Sequence, residues 1–253
     1  MPQYGLAHHV FVCVQGEHVV FLDVRRDRYF ALESARTAGL GQFVPGWPVP
    51  APLAVDFAQH GDGSTAPALA EQLDRSALYG VISLLLDKSI LVPDAGAGKN
   101  AGVTVAEPLR GDLFADALDE RSRMGPALFA RFVISAVRAR LLLKYSTFEA
   151  IVERVRYRIA NSSRAADPVS ENRLHQLVGA FATLRPFFFA AKDACLFDAL
   201  ALSEFLAAYG VFPRWVFGVQ SRPFAAHCWL QHDGRVLNDT VEHVKRYMPI
   251  LVV

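Results

Sequence analysis

The sequence predicts an α+β protein, and three observations lead to this fold class. Residues 10–32 contain three short runs rich in Val and Phe, a composition typical of strands. Residues 125–209 carry apolar side chains near helical spacing. Residues 211–253 are again strand-like. Two strand-rich regions that flank a helical middle predict a mixture of sheets and helices of the α+β kind.

A Gly- and Ala-rich segment divides the chain. Residues 93–108, with the sequence PDAGAGKNAGVTVAEP, are small and flexible in composition, which is typical of a domain linker. We therefore predict an N-terminal domain over residues 1–93, a linker over 94–110 and a C-terminal domain over 111–253. A chain of 253 residues is long enough for two such domains.

The N-terminal domain is predicted to contain a small sheet followed by helices. Val10–Val14, Val19–Val24 and Tyr29–Leu32 are separated by short polar stretches, so they predict a three-stranded meander. The elements predicted after it are a helix at 34–43, a loop at 45–52, a helix at 64–87 and a short strand at 90–92.

The C-terminal domain is predicted to be helical first and strand-rich at its end. Residues 125–160 form two predicted helices, divided near Ser146. Two more predicted helices cover 172–184, which Pro186 ends, and 195–209.

Composition limits the possible functions. Hydrophobic residues make up 52% of the chain, so a sizeable core can form. The formal net charge of +1 gives no strong field toward nucleic acid or membranes, and we predict neither as a partner. The first residues lack the features of a signal peptide, and no apolar run is long enough to span a bilayer. Cys13, Cys195 and Cys228 are too few for a disulfide framework, so we expect a reduced, cytoplasmic setting.

Cys195 is the candidate nucleophile. It lies in KDACLFDALALSEFLAAYG, where Asp193 is the expected N-cap and Gly210 the expected C-terminal stop of a helix. A cysteine in the first helical turn faces unpaired backbone N–H groups and the positive end of the macrodipole, which stabilise a thiolate. The alternative is a buried structural cysteine, which behaves as a small hydrophobe.

His227 and Asp239 are the candidate base and orienting group. RPFAAHCWLQHDG alternates like a strand and carries His227, while RVLNDT carries Asp239. A cysteine nucleophile needs a base within hydrogen-bond reach, and that base needs an orienting partner.

The hairpin after His227 determines which acidic or amide side chain it can meet. A three-residue loop, His232–Gly234, would set His227 against Asp239, whereas a two-residue Asp-Gly turn would shift the register by one residue. We predict the three-residue loop. With the two-residue turn, Asn238 would become the better candidate.

Metal binding is the main alternative use of these side chains. Cys195, His227, Cys228 and Asp239 show no C-x-x-C or H-x-x-x-H spacing, so we predict no metal and no cofactor. Six other histidines lack partners at ligand spacing and are expected to be surface or packing residues: His8, His9, His18, His60, His175 and His243.

The candidate trio resembles that of the B protein of lasso peptide biosynthesis, the transglutaminase-like leader peptidase of that pathway. The resemblance rests on a cysteine at a helix start, then AHCWL, a hairpin and VLND, with family-like spacings between the three residues. HVVFLDVRRDRYFAL and the later LLDKSILV resemble the precursor-recognition domain fused to many such proteins. Cys228 is a departure, because the family more often has a small residue such as Ala there. We expect its side chain to face away from His227 and to leave the site unchanged.

The resemblance implies a winged-helix-like peptide-recognition domain followed by a papain/transglutaminase-like cysteine protease domain. It implies that the protein binds the leader of a precursor peptide and cleaves it from the core, with Cys195, His227 and Asp239 as the catalytic triad. The implied protein partner is an asparagine-synthetase-like lasso cyclase. By the same analogy the leader adds as a strand to a sheet edge beside a helix. The candidate contacts are Tyr29, Phe30, Ala31, Leu32, Leu78, Ile82 and Leu85.

Two other functions use the same residues. The triad could transfer an acyl group to an amine, as transglutaminases do. The protein could also be a non-catalytic scaffold that binds the precursor.

Overall fold

The structure is a computed structural model that describes residues 3–48, 67–113, 125–162, 169–188 and 195–253. Two compact units are present, each described separately below. The first comprises residues 1–104 with 221–223, and the second comprises residues 105–220 with 224–253. Helices and sheets occur in both units, which confirms the α+β class. The winged-helix-like character of the first unit stays a prediction.

The first unit is built on the predicted meander. Strands β2 (Val10–Gln15), β3 (His18–Asp23) and β4 (Arg28–Glu33) form an antiparallel sheet in the order β2-β3-β4. The central strand β3 is buried along nearly its whole length, whereas the residues of β4 are exposed or half-buried. Within the described residues, β4 is an edge strand of this sheet. A second, two-stranded sheet pairs β1 (Gly5–Leu6) with β5 (Leu91–Val92).

Helices cover one side of this unit. Helix α1 spans only Ser34–Thr37 and continues as a 3-10 turn at Ala38–Gln42, whereas one regular helix was predicted. Two glycines in the turn weaken helix formation. One of them, Gly39, also leaves room for Leu78, because a Cβ at Gly39 would lie 2.7 Å from that side chain. Helix α2 (Pro67–Asp87) follows residues that lie outside the described part of the chain, which include residues 49–52 of the loop predicted at 45–52.

The segment predicted as a linker is packed rather than flexible. Lys99 and Leu6 exchange two backbone hydrogen bonds of 2.7 and 2.8 Å. Ala101 is fully buried and its N–H donates to Pro45. Gly98 approaches Gly5 so closely that a Cβ would lie 2.8 Å from its backbone. The small residues therefore allow close backbone contact, so the expectation of flexibility is wrong for these residues.

Three helices follow one another in the described part of the second unit, after a short strand at Gly111–Asp112. The predicted helices are confirmed as α3 (Pro126–Tyr145), α4 (Phe148–Ser162) and α5 (Glu171–Leu184). Ser146 is the C-cap of α3, so the predicted division between the first two helices is confirmed. In α5 the side chain of Ser170 caps the N-terminus by accepting a bond from Arg173 N.

Helix α6 (Cys195–Ala207) forms the centre of the second unit. Every residue from Asp198 to Leu206 is buried. Gly210 has φ +78°, Gly210 N donates to Ala207 O, and Val211 N donates to Leu206 O. These bonds define a Schellman motif, so the predicted stop at Gly210 is confirmed.

The second unit also contains a five-stranded sheet and a short helix. The strands are β6 (Gly111–Asp112), β7 (Arg214–Ser221), β8 (Phe224–His232), β9 (Arg235–Val236) and β10 (Met248–Val252), and the helix is α7 (Val241–Val244). The strand order is β10-β7-β8-β9-β6, with β6 parallel to β9. Strand β8 therefore lies in the middle of the sheet, where its residues are held by neighbours on both sides.

The hairpin between β8 and β9 differs from the prediction. Gln231 pairs with Val236 and His232 with Arg235, which leaves a two-residue turn. Both turn residues, Asp233 (φ +49°) and Gly234 (φ +77°), are left-handed, as a type I′ turn requires. The prediction of a three-residue loop was wrong because Asp-Gly suits the twist of a two-residue hairpin.

Among the described residues, no helix is long and apolar enough to cross a membrane.

Candidate active site

Cys195 is the first residue of α6, as its position in the sequence predicted. Its side chain is half-buried, and the helix behind it is packed into the core. The unpaired N–H groups of a helix start and the macrodipole favour negative charge at this position. Asp193, the predicted N-cap, lies outside the described residues.

Two neighbours on β8 stabilise the Cys195 thiolate. Hydrogen bonds from the thiol and backbone N–H of Cys228, together with the hydrogen bond and positive charge of His227, outweigh burial and lower the pKa of Cys195 to about 4. Burial raises the pKa of the Cys228 thiol, which keeps its proton available for donation. The expectation that Cys228 leaves the site unchanged is therefore wrong. Adjacent side chains point to opposite faces of a strand, but a sulfur lying over the strand backbone can contact both.

His227 links the cysteine to an acidic side chain. Its Nε2 lies 2.6 Å from Oδ2 of Asp239, so Nδ1 is the ring nitrogen left for Cys195. Burial opposes protonation of His227, but hydrogen bonds to Asp239 and Cys195 outweigh it and raise its pKa to about 9. Between these two pKa values the pair exists as thiolate and imidazolium, the form in which a cysteine nucleophile is active.

Asp239 reaches His227 although the hairpin has the two-residue turn. Strand β9 ends at Val236, and Leu237 N makes a last backbone bond of 3.0 Å to Leu230 O. The next bond to the strand comes from a side chain, because Oδ1 of Asn238 accepts from Leu230 N at 2.9 Å. The chain bends there, so the two-residue periodicity of a ladder no longer determines where Asp239 points. Hydrogen bonds to two histidines and to Thr240 N outweigh burial and lower the pKa of Asp239.

A buried polar network joins the cysteine helix to the Asp239 bend. Asp198, one turn after Cys195, is 2% exposed, and its Oδ2 accepts from Asn238 Nδ2 at 2.9 Å and from Arg185 at 3.0 Å. Arg185 also donates to the backbone oxygen of Asn238 at 3.4 Å. Burial raises the pKa of Asp198, against the opposing effect of Arg185. Asn238 therefore serves as a structural connection between the two catalytic segments rather than as the partner of His227.

His243 is the site residue that the sequence interpretation missed. Its Nδ1 lies 2.7 Å from the same Oδ2 of Asp239 that meets His227, so the expectation of a surface or packing residue is wrong. The sequence does contain a signal for this contact. Asp239 and His243 are four residues apart, and Thr240 between them is the N-cap of the helix that carries His243.

Three of these side chains could in principle hold a metal ion. The ligand atoms of His227, Asp239 and His243 all lie within 4.8 Å of one another. Two ligands on a tetrahedral zinc ion, each about 2.0–2.1 Å from the metal, are separated by roughly 3.3 Å. The distances of 2.6 and 2.7 Å to Oδ2 are shorter and correspond to hydrogen bonds. The arrangement therefore fits a proton-linked network better than a metal site.

Residues 135–252 match the family model described as Transglutaminase-like superfamily. This part of the chain is a transglutaminase-like domain. Members of that superfamily are typically cysteine-dependent enzymes, and the matched region contains Cys195, His227 and Asp239. Neither the curated proteins nor the solved structures give a significant match to the chain.

The residues predicted to contact a leader lie in the first unit, outside the transglutaminase-like domain. Residues 29–32 lie on β4, and together with Leu84, Leu85 and the end of α2 they line a groove of about 610 Å³. Ile82 is 2% exposed and belongs to the core, and Leu78 packs against that core. Neither Leu78 nor Ile82 lines the groove.

We predict that Cys228→Ala raises the pKa of Cys195 in the transglutaminase-like domain. A hydrogen bond to a charged group is worth about 1.5–3 kcal/mol, so the rate of alkylation by iodoacetamide at pH 5 should fall roughly two- to fifteenfold. Cys228→Ser, which keeps a donor, should retain most of the rate. Measurement of the rate between pH 3.5 and 8 gives the pKa, and equal pKa values in all three proteins would contradict the assignment.

We also predict that Asn238→Ala destabilises the domain. The substitution leaves Leu230 N–H without its partner and removes one of the two donors to Asp198 Oδ2, and a buried unsatisfied group costs about 1–3 kcal/mol. Urea unfolding followed by tryptophan fluorescence should show this loss. Asn161→Ala is the matched control, because Asn161 is exposed and its side chain donates to the carbonyl of Tyr157 on the protein surface. A similar small change in both variants would contradict the buried-network assignment.

Proposed function

We propose that the protein is a leader peptidase of lasso peptide biosynthesis, a cysteine endopeptidase that binds the leader of a precursor peptide and cleaves it from the core. The observation that carries the proposal is the arrangement of Cys195, His227 and Asp239, with a thiolate at a helix start, an imidazole on a central strand and a carboxylate behind it. The sequence resemblance to the lasso B proteins supports the choice of substrate. An asparagine-synthetase-like cyclase is the proposed protein partner.

The proposed reaction follows from the ion pair. The Cys195 thiolate attacks the scissile carbonyl carbon, and its backbone N–H is placed to donate to the oxyanion that forms. His227 gives its Nδ1 proton to the amine of the core as the C–N bond breaks, which leaves the leader as a thioester on Cys195. His227 then takes a proton from water, which attacks the thioester and releases the leader carboxylate. Asp239 holds the imidazole orientation through both steps.

The proposed leader site is the groove beside β4. Ser34 N donates to Glu17 O, and this bond fixes which residues of β4 face the neighbouring strand. Because bonding alternates along an antiparallel ladder, the N–H group of Ala31 points toward the outer edge of the sheet. An extended peptide could bond this group and place alternate side chains in the groove that α2 borders.

Incubation with the precursor peptide encoded by a neighbouring short reading frame tests the activity. We expect mass spectrometry to show free leader and free core, whose masses sum to that of the precursor plus one water. Cys195→Ala should give neither, and Cys13→Ala, which changes a cysteine buried in the other unit, should give both. An adduct in which the leader is joined to an added amine would instead identify an acyltransferase. An intact precursor with unmodified enzyme would favour the scaffold function.

The pH dependence of cleavage should follow the two pKa values. The thiolate is lost as the pH falls through about 4, and the imidazolium proton is lost as it rises through about 9. We expect kcat/KM to have a plateau between these limits, because both charged groups are needed in the free enzyme. A maximum confined to the region above pH 9 would contradict the ion pair.

Ala31→Pro should weaken leader binding without disrupting the sheet. Proline is tolerated at an edge position whose N–H faces outward, but it removes the donor that an added strand needs. We expect the Kd for the leader to rise about tenfold, the equivalent of 1.4 kcal/mol. Ala31→Val, which keeps the N–H, is the control, and fluorescence anisotropy of a labelled leader measures both. Equal affinities in the two variants would place the leader elsewhere.

A further inference from the structure

The Asp239 carboxylate is held by three donors. Its Oδ1 accepts from Thr240 N at 2.7 Å, and its Oδ2 accepts from two histidines, at 2.6 Å from His227 Nε2 and at 2.7 Å from His243 Nδ1. Since the lowered pKa of Asp239 keeps the group ionised, it can only accept, and both ring nitrogens therefore carry the protons.

We propose that His243 is a positioning residue, which fixes the Asp239 carboxylate so that its Oδ2 stays aligned with His227 Nε2. If Thr240 N–H were the only group besides His227 that held the Asp239 carboxylate, the carboxylate could rotate about its side-chain bonds. A second donor on the other oxygen fixes the plane of the carboxylate. The role concerns the Cys195–His227 ion pair and does not depend on which peptide the enzyme cleaves.

His243 is itself held in place from two sides. Its backbone N–H donates to the Thr240 side chain at 3.3 Å, which caps the helix α7 on which it lies. Its ring lies 5.4 Å from that of Tyr247 at an interplanar angle of 84°. A side chain that is 40% exposed, lies on a capped helix and packs against Tyr247 has fewer rotamers available, so its hydrogen bond can orient Asp239 effectively.

The same ring also borders His227. The centroids of His243 and Tyr247 lie 4.8 and 5.1 Å from that of His227, and Trp229 stacks on it at 6.1 Å. Three aromatic rings around the imidazole limit the access of water to its bond with Asp239, and a hydrogen bond shielded from water is electrostatically stronger. The titratable groups that face this pair are Cys195, Asp198, His243 and Tyr247.

Three variants of His243 separate the hydrogen bond from the packing. His243→Asn keeps an N–H at the position of Nδ1, His243→Gln keeps an amide but moves the donor by one bond, and His243→Leu removes it. We expect kcat to fall roughly 10- to 100-fold in the Gln and Leu variants, because small misplacements of catalytic groups have effects of this size. KM should change little, and the Asn variant should retain most of kcat.

Alkylation of Cys195 by iodoacetamide gives a readout that needs no peptide substrate. The rate should show a second step near pH 9 in the wild type, where His227 loses its proton and releases the thiolate. We expect this step to move toward pH 6.5, the ordinary pKa of histidine, in the Gln and Leu variants and to stay in place in the Asn variant.

Thermal unfolding of all variants distinguishes a positioning role from a structural one. A second alkylation step that stays near pH 9 in the Gln and Leu variants would overturn the proposal. An equal loss of kcat in all three variants, in parallel with a lower Tm, would also overturn it, because the loss would then follow stability and not the donor. Absence of peptide cleavage by the wild type would refute the proposed function and leave the alkylation result valid.

Discussion

The connection between Asp198 and Asn238 is the constraint on which the geometry of the site depends. One end lies on the helix that begins with Cys195, and the other precedes Asp239 in the chain. Because Asn238 also accepts a bond from Leu230 N, the same side chain attaches the bend to the strand that carries His227. All three catalytic segments therefore meet at one buried amide. Buried polar groups are costly unless paired, and the hydrogen bonds that Asp198 Oδ2 and Asn238 make here favour a single arrangement of the three segments.

The chemistry at the cysteine comes from several weak effects that act in one direction. The helix start, the donors of Cys228 and the imidazolium of His227 all favour negative charge on the sulfur, and only burial opposes them. Asp239 supports the imidazolium in turn. Since each group stabilises the charged form of its neighbour, the ion pair persists over a wide pH range although both members are partly removed from water.

Local sequence signals predicted most of the elements. The Val- and Phe-rich runs gave the meander, and the cysteine helix ended at Gly210 because only a residue tolerant of positive φ suits a Schellman motif. What the sequence could not provide was the course of the chain beyond β9. The register argument assumed that strand pairing continues to residue 239, but the Asn238 side chain replaces the backbone there. The trio was therefore brought together by a geometry other than the predicted one.

The contribution of Cys228 and His243 was hidden from sequence reasoning for a similar reason. Alternation along a strand describes which face a side chain occupies. It does not predict that the Cys195 sulfur interacts with both His227 and Cys228, which are consecutive on the strand. His243 lies on a helix of four residues, too short for any periodic pattern to identify. Its contact with Asp239 depends on the course of the chain at the bend, which the sequence did not predict.

The packing of the segment around Lys99 has a practical consequence for dividing the protein. A gene truncated after codon 93 would encode a first unit in which Leu6 loses both of its backbone hydrogen bonds to Lys99. The buried residue Ala101 would also be missing from the core of the unit. An N-terminal fragment that ends at Thr104 keeps these contacts, because the compact unit extends to that residue. Separate expression of the two halves should therefore follow the packing of the chain and not its composition, since the Gly- and Ala-rich stretch includes part of the folded unit itself.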